Sequence, residues 1–328
     1  MSDVLNPPAL EEISEARQLI SGHLPITPLY PSPALSRVAG FNVWVKYENH
    51  LPTGSFKPRG AMYQLEVLRR QGIEGVVTAS TGNHGLGITF AAQALRMRAV
   101  IVIPEGTDAM KVNKLNALGA EVRTVGKDLL ESCDHSREIA EREGLSFIED
   151  GEAAGLMAGA ATLTMELMEQ HPNIEAVFVP VGGGNLIGSV CRAVELARPD
   201  VKVIGVQSEA APAAFLSWEQ KEWILSDLCE TFAGGLATSY PGKFAYSVYV
   251  PRVDDFVLVS ENDLKSAITG MLDATGFVAE GAAAAPLAAC LKYPGRWKFG
   301  EACFLFTGGN LARETLADIL TESQDGDG

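Results

Sequence analysis

Between Gly75 and Ile148 four runs rich in strand formers alternate with three helical stretches, and that order restricts the fold more than any other feature of the chain. The strand runs are Gly75–Ala79, Ala99–Ile103, Glu121–Val125 and Leu145–Ile148; the helical ones are Gly85–Leu95, Asp108–Leu118 and Asp128–Glu143. A strand that returns parallel to its predecessor needs a long crossover, and helices of this length supply it. Right-handed crossovers then give a small four-stranded parallel sheet. After Gly151 the alternation resumes with a helix over Gly155–Glu169, a strand over Ala176–Val179, a glycine turn, a helix to Ala197 and a strand over Lys202–Val206. Phe256–Val259 and Ala302–Phe306 read as further strands, and Glu261–Thr275, Ala282–Cys290 and Leu311–Leu320 as helices. At 328 residues the chain exceeds one compact core. The expected class is α/β with two lobes based on parallel sheets, the smaller (73–152) inserted in the larger (1–72 with 153–328).

Other stretches are less regular. Residues 9–22 have the spacing of a docking helix, Ala34–Ala39 that of a short helix, and Asn42–Tyr47 alternates like a strand. Pro25–Pro33 carries too many prolines for regular structure and is expected to wrap the surface. Ala210–Tyr249, aromatic and rich in Gly and Pro, reads as an irregular segment bordering a pocket, and the polar tail Thr321–Gly328 as disordered.

The stretch Thr53–Ala61 places one lysine at the mouth of a helix that runs from Pro58 to about Gln71 and stops at Gly72. Proline is at home in the first turn and disfavours the α region for its predecessor, so Lys57 is expected to be extended. A helix N-terminus and partial burial both disfavour the lysine's proton, which suits a nucleophile or base. Three strand-to-helix junctions add polar turns: Thr78–Gly85, Val179–Leu186 and Phe306–Asn310. Parallel sheets present ligand sites at such strand ends. Free amides at a helix start bind anions, and the glycines at 182–184 let an anion approach. That turn matches neither the dinucleotide GxGxxG pattern nor the Walker sequence. A reactive amine, a phosphate cradle and two further polar turns are together what a phosphorylated aldehyde needs, and pyridoxal 5'-phosphate fits.

Composition narrows the partners. There are 26 Lys and Arg against 41 Asp and Glu, a net charge of −15, with no basic run, which disfavours nucleic acid or an anionic membrane. The N-terminus lacks a basic start followed by an apolar run, and no apolar stretch is long enough to span a bilayer. Five scattered cysteines without a CxxC pair read as buried thiols in a reducing compartment, so a cytoplasmic protein is expected. His23, His50, His135 and His171 show no ligand spacing and read as surface or packing residues, and the Trp218 and Trp223 pair as core or interface.

SFKPRGA, STGNHG, VGGGN and TGGN, in this order, resemble the fold-type II pyridoxal-phosphate enzymes with the tryptophan synthase β-like fold. The similarity is greatest to the serine and threonine dehydratase and serine racemase group and covers nearly the whole chain. The resemblance implies that Lys57 is the Schiff-base lysine, flanked by Phe56, and that Asn83 meets the ring hydroxyl. It makes Gly182, Gly183, Gly184, Asn185 and Leu186 the phosphate loop and sets Thr307 at the pyridine nitrogen. The turn of Ser80, Thr81, Asn83 and His84 would receive the substrate carboxylate, and Glu280 would lie near the cofactor or simply cap a helix. The implied activity is loss of water from a β-hydroxy amino acid such as L-threonine or L-serine, giving a 2-keto acid and ammonia, in a homodimer.

Three departures qualify this. Asn185 replaces a fourth glycine, and Asn tolerates the left-handed region the loop is expected to need there. Thr81 stands where the racemases carry a serine that reprotonates Cα, which counts against racemisation and still leaves it open. Gln207 and Ala213 replace acidic ligands of the family's divalent-cation site, so that site is expected to be absent or altered and no metal ligand is named. Racemisation, β-replacement, threonine synthase-like chemistry and a non-catalytic cofactor-binding regulator remain as alternatives on the same scaffold.

Overall fold

The computed structural model describes residues 6–325. In chain order the elements are α1 (Leu10–Ser21), β1 (Leu29–Pro31), α2 (Pro33–Ala39), β2 (Asn42–Tyr47), α3 (Lys57–Arg70), β3 (Gly75–Ala79), α4 (Asn83–Leu95), β4 (Arg98–Ile103), α5 (Ala109–Ala117), β5 (Glu121–Thr124), α6 (Leu129–Glu143) and β6 (Ser146–Phe147). They continue as α7 (Ala154–Gln170), β7 (Ala176–Pro180), α8 (Asn185–Ala197), β8 (Lys202–Ser208), α9 (Ala213–Gln220), α10 (Lys243–Tyr249), β9 (Asp255–Val259), α11 (Glu261–Thr275), α12 (Gly281–Lys292), β10 (Glu301–Phe306) and α13 (Arg313–Asp325).

Two sheets result. The smaller has the order β5-β4-β3-β6 and is parallel throughout, as the alternation requires. The larger runs β1-β2-β10-β7-β8-β9, parallel except for β1, which pairs antiparallel with β2. Its middle strands β7 and β10 are buried almost throughout, as strands with helices on both faces must be. Helices α3 and α7 cross where neither has a side chain: a Cβ on Gly60 would lie 2.6 Å from the Leu156 carbonyl oxygen, and one on Gly159 would lie 2.3 Å from that of Arg59.

That close crossing encloses four charges. Arg59 donates to Glu48 at 2.7 and 2.9 Å and to Glu166 at 3.1 Å. Lys46 on β2 donates to Glu166 at 2.5 Å and to the Thr27 carbonyl at 2.9 Å. Arg59 is 1% exposed and Lys46 and Glu48 are fully buried, so the two cations and two carboxylates neutralise one another out of reach of water. Burial pushes the Glu166 carboxyl up, but Arg59 and Lys46 outweigh it and hold it below its ordinary value.

Several expectations need correction. Lys57 is the first residue of α3 and not extended, because the Phe56 amide donates to the Thr307 carbonyl at 3.0 Å and fixes the turn ahead of it. Tertiary pinning overrides the preference that Pro58 exerts. Pro25–Pro33 is not wholly irregular: β1 lies within it as an edge strand, where a proline forfeits no ladder bond. Two helices, α9 and α10, interrupt the segment over Ala210–Tyr249. The last helix starts at Arg313 and continues to Asp325, so Thr321–Asp325 is helical; the remainder of the expected disordered tail lies outside the described residues. Cys191, Cys290 and Cys303 are buried thiols, but Cys133 and Cys229 are half-buried.

Replacing Arg59 by Met leaves two buried carboxylates facing one cation, and breaking a buried pair in this way costs about 3–5 kcal/mol. Replacing Arg17, whose partner Glu169 is half exposed, should cost at most about 1 kcal/mol. Urea unfolding of the two variants side by side measures the difference.

Candidate active site

The carbonyl ends of β3, β7 and β10 open on a cavity of about 610 Å³. All the site residues expected from sequence line it: Phe56, Lys57, Ser80, Thr81, Asn83, His84, Gly182, Gly183, Gly184, Asn185, Leu186, Glu280 and Thr307. Lys57 enters from the start of α3, its Nζ 5.0 Å from the centre of the Phe56 ring. Helix α4 can lie across it because Gly87 has no side chain; a Cβ there would sit 2.9 Å from the Lys57 backbone.

Each turn holds its residues differently. After β3, the Ser80 hydroxyl accepts from the amides of Gly82 at 3.2 Å and Gly85 at 3.1 Å, so it shapes the turn. Asn83 donates to both Glu280 oxygens, at 2.8 and 3.0 Å, and accepts from the Asn310 side chain at 2.8 Å. Glu280 sits at the cap position of α12, yet its carboxylate accepts from Asn83 and makes no cap bond. Burial pushes the Glu280 carboxyl up, against the pull of Asn83 and the Asn310 amide.

After β7, the left-handed residue is Gly184, at φ +96°, and Asn185 is the first residue of α8. The expectation that Asn185 would occupy the left-handed region is therefore wrong by one position. A Cβ on Gly184 would lie 3.1 Å from Ala245 and 3.2 Å from Tyr249, and one on Gly182 would lie 2.4 Å from the Gly235 carbonyl oxygen. After β10, Thr307 gives its carbonyl to Phe56, while its hydroxyl is buried without a partner among the described residues. Asn185 Oδ1 and Ser55 Oγ are likewise shut in without partners.

Sequence reasoning missed Asp150. It follows β6, the fourth strand end on this edge, and its Oδ2 accepts from Lys57 Nζ at 2.6 Å. Burial pushes the Asp150 carboxyl up, but the Lys57 ammonium outweighs it and leaves it below the usual range. Burial also acts on His84 and drives it down to about 4. The available signal was position: a charged residue just past β6, whose sheet neighbour β3 ends in a site turn.

Elsewhere, Gln207 accepts from the Phe215 amide at 2.9 Å and Ala213 begins α9, so both serve that helix. His171 bonds Glu301 at 2.5 Å and stacks on Trp44, and His50 packs on Phe277, in keeping with packing roles. Trp218 packs on Phe215 and Phe256, whereas Trp223 is 36% exposed and donates to the Pro241 carbonyl.

The residues present suit pyridoxal phosphate. A glycine bend that any side chain would fill offers amides to a phosphate, the partnerless Thr307 hydroxyl can meet a ring nitrogen, and an amine stands at the helix mouth. Comparison with known proteins agrees. A family model described as pyridoxal-phosphate dependent enzyme matches residues 20–308. The L-threonine ammonia-lyase of Thermotoga maritima is 36% identical over 315 residues, which are 95% of this chain and 78% of that protein. The processed form of threonine deaminase isoform 2 from Solanum lycopersicum superposes with a TM-score of 0.88 at 29% identity, over 96% of this chain and 94% of that one. Maize serine racemase superposes with a TM-score of 0.90 at 26% identity, over 98% and 99%. The chain belongs to the pyridoxal-phosphate dependent enzymes of fold type II.

Proposed function

We propose that this enzyme is an ammonia-lyase that removes water from a β-hydroxy amino acid such as L-threonine or L-serine and releases a 2-keto acid and ammonia. The observation that supports this reading best is the meeting of one lysine amine with three polar turns in one cavity. Pyridoxal phosphate, when bound, supplies an aldehyde and an electron-withdrawing ring that accepts the charge left at Cα. The amides of Gly182–Gly184 with Asn185 and Leu186 would hold its phosphate, Asn83 its ring hydroxyl and Thr307 Oγ1 its ring nitrogen, while Phe56 flanks it. Glu280 would act through Asn83, whose amide it orients.

Lys57 Nζ is the base that takes the Cα proton. The N–H groups at the start of α4, in the turn of Ser80, Thr81, Asn83 and His84, receive the substrate carboxylate. A hydroxyl at Thr307 cannot protonate the ring nitrogen as a carboxylic acid would. The charge at Cα is therefore best relieved by expelling a β-substituent, which favours elimination. Racemisation is the second reading: Thr81 keeps a hydroxyl on the cavity wall, and the fold is close to that of maize serine racemase.

We also infer a two-lobed division, 73–152 against 1–72 with 153–328, since β3–β6 form their own sheet from one continuous stretch. Free cysteines point to a reducing, cytoplasmic setting. Homodimerisation is supported by exposed aromatic surface: Tyr30 is 59% and Phe277 41% exposed, and both pack on Tyr47. Sedimentation should return the mass of two chains.

Lys57→Ala should lower keto-acid formation from L-threonine or L-serine by about 10²–10⁴-fold, followed as ammonia released. Wild-type turnover in that variant would end the proposal. Thr307→Val removes a buried hydroxyl that lacks a partner, so thermal stability of the cofactor-free protein should not fall. Cofactor affinity should weaken about 5- to 10-fold by equilibrium dialysis, the worth of one hydrogen bond.

A further inference from the structure

Two polar atoms at the cavity wall have no hydrogen-bond partner among the described residues. Asp150 Oδ2 is taken by Lys57 at 2.6 Å, but Oδ1 has no hydrogen-bond partner and no contact with solvent. His84 Nε2 is in the same condition. The other ring nitrogen, Nδ1, lies 3.9 Å from Asp150 Oδ1, too far for a hydrogen bond. A neutral imidazole presents Nε2 as an acceptor in the tautomer that protonates Nδ1. With its pKa driven down to about 4 by burial, the imidazole is neutral near pH 7 and gives Asp150 no counter-charge.

The neighbouring carboxylate differs. Glu149 is matched by Arg137 at 2.8 Å and by the Tyr240 hydroxyl at 3.1 Å. Asp150 has only Lys57, and the proposed reaction commits that amine to Cα. The Asp150 side chain keeps 28% exposure, so its carboxylate borders the open cavity while Oδ1 itself is closed off. A ligand that takes the place of Lys57 on this carboxylate must bring donors. A methyl group brings none and a hydroxyl brings one along with two lone pairs, whereas an ammonium brings three donors, a positive charge and no lone pair.

We propose that Asp150 and His84 read the substrate's side chain and select a β-hydroxy amino acid that carries an amino group beyond its β-carbon. The inference deepens the ammonia-lyase reading and rests on it for the fate of Lys57. Both residues belong to the carbonyl edge of the small sheet, Asp150 after β6 and His84 in the turn after β3, so one wall serves this purpose.

The test uses the holoenzyme and two pairs of ligands. L-2,4-diaminobutyrate and L-2-aminobutyrate lack a β-hydroxyl and differ only in the terminal amino group, so calorimetry reads recognition without turnover. The wild type should bind the diamino acid about 10- to 100-fold more tightly, the range of a hydrogen bond to a charged group. Asp150→Asn should bring the ratio near one, and His84→Ala should reduce it. Equal binding of the two ligands by the wild type overturns the proposal whether or not the variants fold, as does an undiminished ratio in Asp150→Asn. L-threonine and the same molecule with an amino group on its terminal carbon form the second pair, scored for ammonia release. A higher kcat/KM for the amino derivative in the wild type, lost in Asp150→Asn, supports the proposal; a preference for L-threonine counts against it. If neither is consumed while the calorimetric preference holds, the ammonia-lyase reading fails and the recognition role of Asp150 stands.

Discussion

The bond from the Phe56 amide to the Thr307 carbonyl joins the start of α3 to the end of β10, and the site is laid out from it. The strand β10 lies between β2 and β7, so its end is set by the large sheet. Tying Phe56 to that end forces the next residue, Lys57, to project over the carbonyl edge where the turn after β7 also emerges. The isolated pairing of Ser55 with Gly308 reinforces the tie one residue away. Behind it, the neutral cluster of Arg59, Glu48, Glu166 and Lys46 holds the first turn of α3 against α7 and β2. A lysine on a loop would lose its aim through rotation of the loop, whereas here the backbone at both sides of Lys57 is fixed to separate elements.

Charge inside the cavity follows a different rule from charge on the surface. The chain has a net charge of −15, yet Lys57, Lys111 and Lys114 all line the opening. An amino acid and a phosphorylated cofactor both carry anionic groups, and local cations offset the repulsion that an acidic protein would exert on them. Of the cavity's carboxylates, Glu149 is matched by Arg137 and Glu280 is pushed towards its neutral form by burial. Asp150 alone among these three is both below the usual carboxylate range and dependent on Lys57 for its partner. The electrostatics of the site therefore change at Asp150 when Lys57 is occupied.

Much of this was legible in the sequence because it depends on local chemistry. Gly182–Gly184 announces a tight bend without side chains, and the alternation between Gly75 and Phe147 yields the four-stranded parallel sheet with boundaries within one or two residues. What the sequence hid depends on distant partners. Lys57 was expected to be extended because its nearest neighbour, Pro58, argues so; the overriding bond comes from Thr307, 250 positions away. The edge strand β1 was hidden by its prolines, since pairing on one side only is visible in three dimensions and not in composition. Asp150 reads as a surface residue in a polar loop until the loop is seen against Gly183, whose added Cβ would come within 3.7 Å of the Asp150 carbonyl oxygen.

The two sheets meet through Asn83, Glu280 and Asn310. Asn83 belongs to the turn of the small sheet, Glu280 precedes α12, and Asn310 belongs to the turn after β10, so these three side chains bridge elements of both sheets. Asn310 also donates to the Thr53 carbonyl at 2.8 Å, just ahead of the lysine. Every donor of the Asn83 and Asn310 amides that the structure pairs is directed at this cluster or at Thr53, which leaves neither amide free to rotate independently. The turn after β3 and the turn that carries Thr307 are therefore tied through side chains, and neither can shift without breaking or stretching these bonds.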